Sequence, residues 1–373
     1  MRQCSASELL IDGSYGEGGG QIVRTAVSLS AISERPVRIE NIRAGRPKPG
    51  LAAQHLTSIS AAGALCDAVI DGATLGSQSI GFRPTCRPRP GDYRFDVSEA
   101  REGGSAGASS LVLLTVAMPL AFAGGPSRLH ILGGTHNEWS PTFDYIRDIW
   151  IPFLHRIGIE MDAAIQSFGF YPAGGGEIDV HVSGAGLKAT EPFDLIDRGP
   201  LLSVTGRAIA ANLPPHIPQR MADHARALLK DVAPFIEIDV QCVQARCPGA
   251  ALFLAAHYQH ARAGFSSLGR RGKPSEAVAD EAVNALLFHK MSGAAFDRHL
   301  ADQALVPLAL TREQSIFTCE ATTNHLRTNA WVIEQFGLAK VVFEEMAGRG
   351  IRVQLVPLTS RASAPRTNRA HKA

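Results

Sequence analysis

The 373-residue sequence predicts an α+β fold of α/β-type units: three similar strand–helix repeats form a large domain, and a smaller α+β domain is inserted into it. Three observations lead there. Three stretches share one order: an apolar strand, a polar loop, then an amphipathic helix. An apolar helical pattern precedes each of them. Between the second and third, residues 186–272 break that order and read as a unit of their own.

The first unit opens on apolar Leu9-Leu10-Ile11 and a glycine-rich turn from Asp12 to Gly20. A helix over Gln21–Ile32 follows, with Ile22, Val23, Ala26, Val27 and Leu29 at helical spacing. The strand is Val37–Ile42, the loop Arg43–Gly50, and the second helix runs through His55, Leu56, Ile59 and Leu65. In the second unit an apolar helix, Ser109–Phe122, leads to strand Leu129–Leu132, loop Gly133–Pro141 and a helix through Tyr145, Ile149 and Phe153. The third has a helical stretch Ala279–Leu310, broken near Ser292-Gly293, then strand Ser315–Cys319, loop Glu320–Thr328 and a helix through Ala330, Val332 and Phe336. Loops at the carboxyl ends of strands are where α/β proteins gather ligands, so these three are the candidate site. Generic packing of helices on sheets is the plainer account of the similarity.

The insert reads as strands Leu201–Ile209, Ile236–Val243 and Ala251–Tyr258 with a helix over Pro218–Val232. It is expected to leave through a mobile basic hinge, Ala263 to Pro274, carrying Arg270, Arg271 and Lys273. The expected domains are therefore 1–185 with 273–358, the insert 186–272, and a disordered basic tail, 359–373.

A hydrophobic content of 45% with 19% charged residues describes a soluble globular chain. The net charge is +2, and the tail holds Arg361, Arg366, Arg369 and Lys372 with no acid. The body is then slightly acidic, so an anionic substrate has to be met by local arginines. The apolar run Leu111–Ala123 is well short of the roughly 20 residues a membrane span needs, and no apolar signal core opens the chain. Six scattered cysteines suit reduced thiols. A cytoplasmic protein without a membrane partner is expected. Cys242, Cys247, His257 and His260 resemble a zinc set only loosely, because the histidines are too close and a strand intervenes.

Three stretches carry candidate chemistry. In the first, Glu17 stands alone among the glycines of the turn, and Arg24 follows one helical turn inside. Glycine lets backbone approach an anion at a helix start, and a lone carboxylate beside a phosphate requires a divalent cation between them. An ordinary glycine turn with a solvated acid is the alternative. In the second, Arg43, Arg46 and Lys48 share one loop stiffened by Pro47 and Pro49, followed by Gln54 and His55. Guanidinium groups suit bidentate phosphate contact. In the third, His325 lies within polar Thr322–Asn329 at the loop equivalent to the arginine loop. A neutral imidazole there can act as a nucleophile if a neighbour such as Asn324 or Asn329 fixes its tautomer; a structural histidine is the alternative. A second glycine triplet, in Phe170–Gly176, reads as a close-packing turn or a ligand wall.

Taken together, Gly16-Glu-Gly-Gly-Gly-Gln21 with Arg24, Arg43-Ala-Gly-Arg-Pro-Lys-Pro-Gly50, Gln54-His55-Leu56, Gly169–Gly176 and Asn324-His-Leu-Arg-Thr-Asn329 resemble the RNA 3′-terminal phosphate cyclases along nearly the whole chain. The resemblance implies ATP, a divalent ion (Mg2+ or Mn2+) and an RNA substrate with a 3′-phosphate end, converted to a 2′,3′-cyclic phosphate. By it His325 is the nucleophile that takes up AMP and Glu17 the metal ligand. Arg24, Arg43, Arg46, Gln54 and His55 cradle phosphates. Pro141, His299, Asp302 and Gln303 line the adenylate pocket. The chain departs from the family's pattern at His299, often Tyr, at Leu114, where relatives carry Gln, and at Phe168, often basic; these leave nucleotide preference open. Oligomeric state, monomer or dimer, is open too. The rival readings are a non-catalytic, cyclase-like scaffold in ribosome assembly, a branch lacking the nucleophilic histidine, and an enolpyruvyl-type transferase.

Overall fold

The structure is a computed structural model and describes residues 7–16, 18–100, 107–187, 191–348 and 350–358. Glu17 and the basic tail therefore lie outside the described residues. The architecture is mixed α+β, with four sheets of four strands each.

The first sheet takes β1 (Leu9–Asp12), β2 (Val37–Glu40), β3 (Val69–Asp71) and β4 (Ile80–Arg83), with α1 (Gly20–Ser33) and α2 (Ala53–Leu65) between strands. Its order is β1-β2-β4-β3: β1 pairs parallel with β2, and the other two steps are antiparallel. The second sheet has β5 (Asp92–Asp96), β6 (Ser127–Gly133), β7 (Met161–Ser167) and β8 (Gly176–Val182). Its helices are α3 (Ser109–Ala121), then α4 (Phe143–Tyr145), which passes through a π-helical turn at Ile146–Trp150 into α5 (Ile151–Arg156). A short β9 (Phe193–Leu195) precedes the sheet of β10 (Leu201–Ala211), β11 (Ile236–Val243), β12 (Gly249–Tyr258) and β13 (Arg262–Leu268), whose helix is α6 (His216–Leu229). The chain then forms α7 (Ser275–Ser292), α8 (Arg298–Thr311), β14 (Ser315–Cys319), α9 (Asn324–Gln335), β15 (Ala339–Met346) and β16 (Gly350–Pro357). Strands β5-β6-β8-β7 and β9-β14-β16-β15 repeat the order and sense of the first sheet.

Two expectations are corrected here. Residues 263–268, expected as a mobile hinge, are β13, hydrogen-bonded along β12 and largely buried. Glycine and serine are poor strand formers, but the site has no room for more: a Cβ on Gly264 would lie 2.6 Å from Ile149 Cγ1. Strand β9 falls inside 186–272 yet pairs with β14, so the boundary of the insert's own sheet lies after residue 195.

The core gathers around α1, which packs on α2, α3 and α9 and is buried nearly all round, its polar Gln21, Thr25 and Ser28 included. Ile22, Val23, Ala26 and Val27 are fully buried. Gly293, at φ 68°, ends α7 with a left-handed residue, which is the break read from the sequence. No helix among the described residues is long and apolar enough to cross a membrane. The five described cysteines are free thiols.

Candidate active site

The turn after β1 is shaped by its own acid. Asp12 Oδ1 accepts from the Ser14 N–H (3.0 Å) and Oγ (2.7 Å) and from Asn41 Nδ2 (3.2 Å), bonds that hold its carboxyl below the ordinary range. Gly16 and Gly18 take left-handed backbone (φ 62° and 55°), and a Cβ on Gly16 would meet Thr328 Oγ1 at 2.7 Å. The turn is thus pressed against α9. Tyr15 stacks on Trp331 of that helix with ring centroids 4.2 Å apart.

Helix α9 begins at a Thr323 cap, whose Oγ1 accepts from the Leu326 N–H at 3.0 Å, and His325 stands exposed in its first turn. His325 Nδ1 is hydrogen-bonded to Gln21 Oε1 at the start of α1. An amide oxygen facing Nδ1 favours the tautomer with the proton there and the lone pair on Nε2. One turn on, Asn329 Oδ1 accepts from Thr25 Oγ1 (2.7 Å), and its Nδ2 donates to the Asp302 carbonyl (3.0 Å). Three helices are tied by these bonds: α1, α9 and α8. Helix α8 is capped by Asp297, which accepts the N–H of His299 and Leu300 (2.9 Å each), the Tyr145 hydroxyl (2.7 Å) and the Gly264 N–H (3.1 Å).

These elements enclose a cavity of about 720 Å3 lined by Gln21, Arg24, Pro141, His299, Asp302, Gln303 and His325. Three buried polar atoms at its wall, Ser28 Oγ, Trp150 Nε1 and Gln303 Oε1, have no hydrogen-bond partner among the described residues. The sheet of β10–β13 closes one side through Ser266 and Ser267 of β13, with Thr142 Oγ1 and Ser266 Oγ 3.0 Å apart. Nearby, the buried Asp144 accepts from His136 (2.9 Å), Arg147 (2.9 Å) and Arg207 of β10 (3.2 Å). Burial pushes its carboxyl up, but His136 and the two arginines outweigh that and hold it below the usual range. Lys273 is spent on Glu281 and on Ser267 and the Leu268 carbonyl.

Of the residues expected from sequence, the structure brings His325, Arg24, Pro141, His299, Asp302 and Gln303 to one cavity. Arg43, Arg46, Gln54 and His55 do not line it. Arg43 has φ 55° and donates to the Gly50 carbonyl (2.8 Å), and burial followed by the Arg46 charge lowers its pKa. Arg46 is exposed and Gln54 half-buried. His55 lies buried behind the turn: Nδ1 accepts the Ala52 N–H at 2.9 Å, and a Cβ on Gly20 would sit 1.9 Å from Nε2. Burial, then the Arg24 and Arg43 charges, push it down to about 3. The arginine loop is therefore electrostatically coupled to the site, while His55 packs behind it and does not face it. The second glycine triplet is a close-packing turn and does not line the cavity. Gly169 and Gly176 pack backbone on backbone, and Gly174 and Gly175 are left-handed. Sequence reasoning gave Gln21, Thr25 and Ser28 no role. Their spacing i, i+4, i+7 is a polar stripe on an apolar helix, and that was the available signal.

A family model described as RNA 3′-terminal phosphate cyclase matches residues 15–343. A protein of that name from Methylococcus capsulatus is 56% identical over 333 residues, covering 89% of this chain and 92% of its own. One from Nostoc punctiforme is 47% identical over 337 residues (90% and 96%), and one from Archaeoglobus fulgidus 41% over 332 (89% and 96%). With this match across nearly the whole chain, the protein belongs to the RNA 3′-terminal phosphate cyclase family.

Proposed function

We propose that the chain is an ATP-dependent RNA 3′-terminal phosphate cyclase, a ligase that closes a 3′-phosphate into a 2′,3′-cyclic phosphate through a histidine-linked AMP. The observation that carries this reading is His325: exposed at a helix start, with Nδ1 engaged by Gln21 and Arg24 lining the same cavity. Nε2 attacks the α-phosphorus of ATP and pyrophosphate leaves. The RNA 3′-phosphate then takes AMP from the imidazole, and the neighbouring 2′-hydroxyl displaces AMP as the ring closes. A phosphate monoester is a poor electrophile until it carries such a leaving group, and only RNA has the attacking hydroxyl.

Arg24 and the amino terminus of α9 meet developing negative charge, with Arg43 and Arg46 acting from the adjacent loop. His299 and Pro141 flank the base, and Asp302 and Gln303 bind the nucleoside. Glu17 would hold Mg2+ or Mn2+, which neutralises phosphate charge when bound. The three matching sheets are read as repeat units of one catalytic domain, 7–195 with 273–358, into which the sheet 201–268 is inserted. The protein acts in the cytoplasm. Incubation with α-labelled ATP and Mg2+ or Mn2+, followed by denaturing electrophoresis, should label the wild type with an acid-labile adduct and leave His325→Ala unlabelled. An unlabelled wild type, or a labelled His325→Ala, overturns the mechanism.

A further inference from the structure

Resting on the cyclase reading, we propose that Trp139 and Tyr171 form a stacking platform for the bases just 5′ of the RNA's terminal phosphate, with Arg246 contacting the strand's backbone. Trp139 is 96% exposed and Tyr171 76%. Burial of an indole or phenol ring is the usual outcome of folding, yet Trp139, on the lining of the cavity, and Tyr171 are both held in water. Trp139 is also held in left-handed backbone (φ 64°), two residues before Pro141 at the cavity wall.

The two aromatic loops are one structure. The N–H groups of Thr135 and His136 both donate to the Gly169 carbonyl (2.9 and 3.0 Å), and the His136 ring stacks between Phe168 and Phe170 at 5.5 and 5.2 Å. The His136 ring is fixed in turn by Thr135 (2.9 Å) and Asp144 (2.9 Å). The loops are therefore rigid at their bases, and the exposed rings project from a fixed frame. The glycine triplet supplies the cation: a Cβ on Gly175 would lie 2.1 Å from Arg246 Cδ, so the exposed Arg246 side chain crosses the loop where only glycine leaves space. Exposed aromatic rings on two joined loops, one of them crossed by a guanidinium, fit a single strand better than a protein surface; Trp139 is flanked by exposed Glu138 and half-buried Ser140. The motif's aromatic and glycine residues thereby gain one purpose.

The test uses the full-length protein and short oligoribonucleotides with a 3′-phosphate. Trp139→Ala should raise KM for RNA by about five-fold or more, the range of one lost base stack, with Trp139→Phe restoring most of it. Tyr171→Ala should act in the same direction. In Tyr171→Ala, whose ring is outside the cavity lining, self-adenylylation rate and KM for ATP should hold. An oligonucleotide with abasic sites 5′ of the terminal nucleotide should erase the difference between wild type and Trp139→Ala, which a merely structural role would not do. Unchanged RNA KM in both alanine variants overturns the platform, as does a rise in KM for ATP in step with it in Tyr171→Ala. A change of oligomeric mass in Trp139→Ala without a change in RNA KM assigns the rings to a protein interface and also overturns it. A wild type that neither labels with ATP nor cyclises RNA fails at the cyclase reading instead.

Discussion

Acid should find the protein's weak point at His55. Its ring is 3% exposed, and its pKa is pushed down to about 3, first by burial and then by Arg24 and Arg43. In the unfolded chain the same group titrates near 6.5. The folded value is the lower one, so between the two the unfolded chain binds a proton the native state refuses. Stability is full above about 6.5 and falls as pH drops toward about 3. Moving from pH 7.5 to 5 at 1.36 kcal/mol per unit, this one group removes about 2 kcal/mol. Urea unfolding of wild type and His55→Gln at both pH values isolates it. Any constant packing cost of the variant cancels, and the variant should lose about 2 kcal/mol less than wild type across the interval. Equal losses, or a larger one in the variant, would refute the buried, neutral imidazole.

Thr25→Val keeps the shape but removes the donor to buried Asn329, and should cost about 1–3 kcal/mol and slow adenylylation; unchanged labelling kinetics would show that α9 is positioned without this bond. Glu320→Ala removes the carboxylate that binds buried His289 (3.1 Å) and Arg298 (2.5 Å) at the head of the His325 loop, and should lower stability by about 3 kcal/mol in urea titration. Gly169→Ala should cost about 3 kcal/mol or fail to fold, because its Cβ would stand 2.4 Å from Gly176 N and 2.6 Å from the Gly133 carbonyl, backbone that cannot swing aside. Tyr145→Phe, losing its bond to Asp297, should raise KM for ATP while His325 labelling at saturation persists.

Much of this was legible in the chain. Strands β11 and β14 match their apolar runs residue for residue, and α1 and α3 run within one residue of their patterns, because each has an uninterrupted hydrophobic period. Strand β13 was not, since Ala263-Gly-Phe-Ser-Ser-Leu carries hinge composition and becomes strand only where Tyr145 and Ile149 forbid larger side chains. Strand β9 is three residues long, too short for any period, and exists through its pairing with β14. At the site, Arg24, Asp302, Gln303 and His325 on three helices share one cavity, whereas Gln54 and His55 on α2 do not line it. Polar partners such as Gln21 and Thr25 did not announce themselves, because their meaning lies in a helix some three hundred positions away.

One wall of the chamber belongs to β13 and the others to α1, α8, α9 and the 137–142 loop, so the cavity lies where the sheet of β10–β13 meets those helices. Anything seated in it acts as mortar. Under the proposed function, a nucleotide held there would tie the sheet of β10–β13 to those helices, and opening of that joint and escape of the spent AMP would be the same motion.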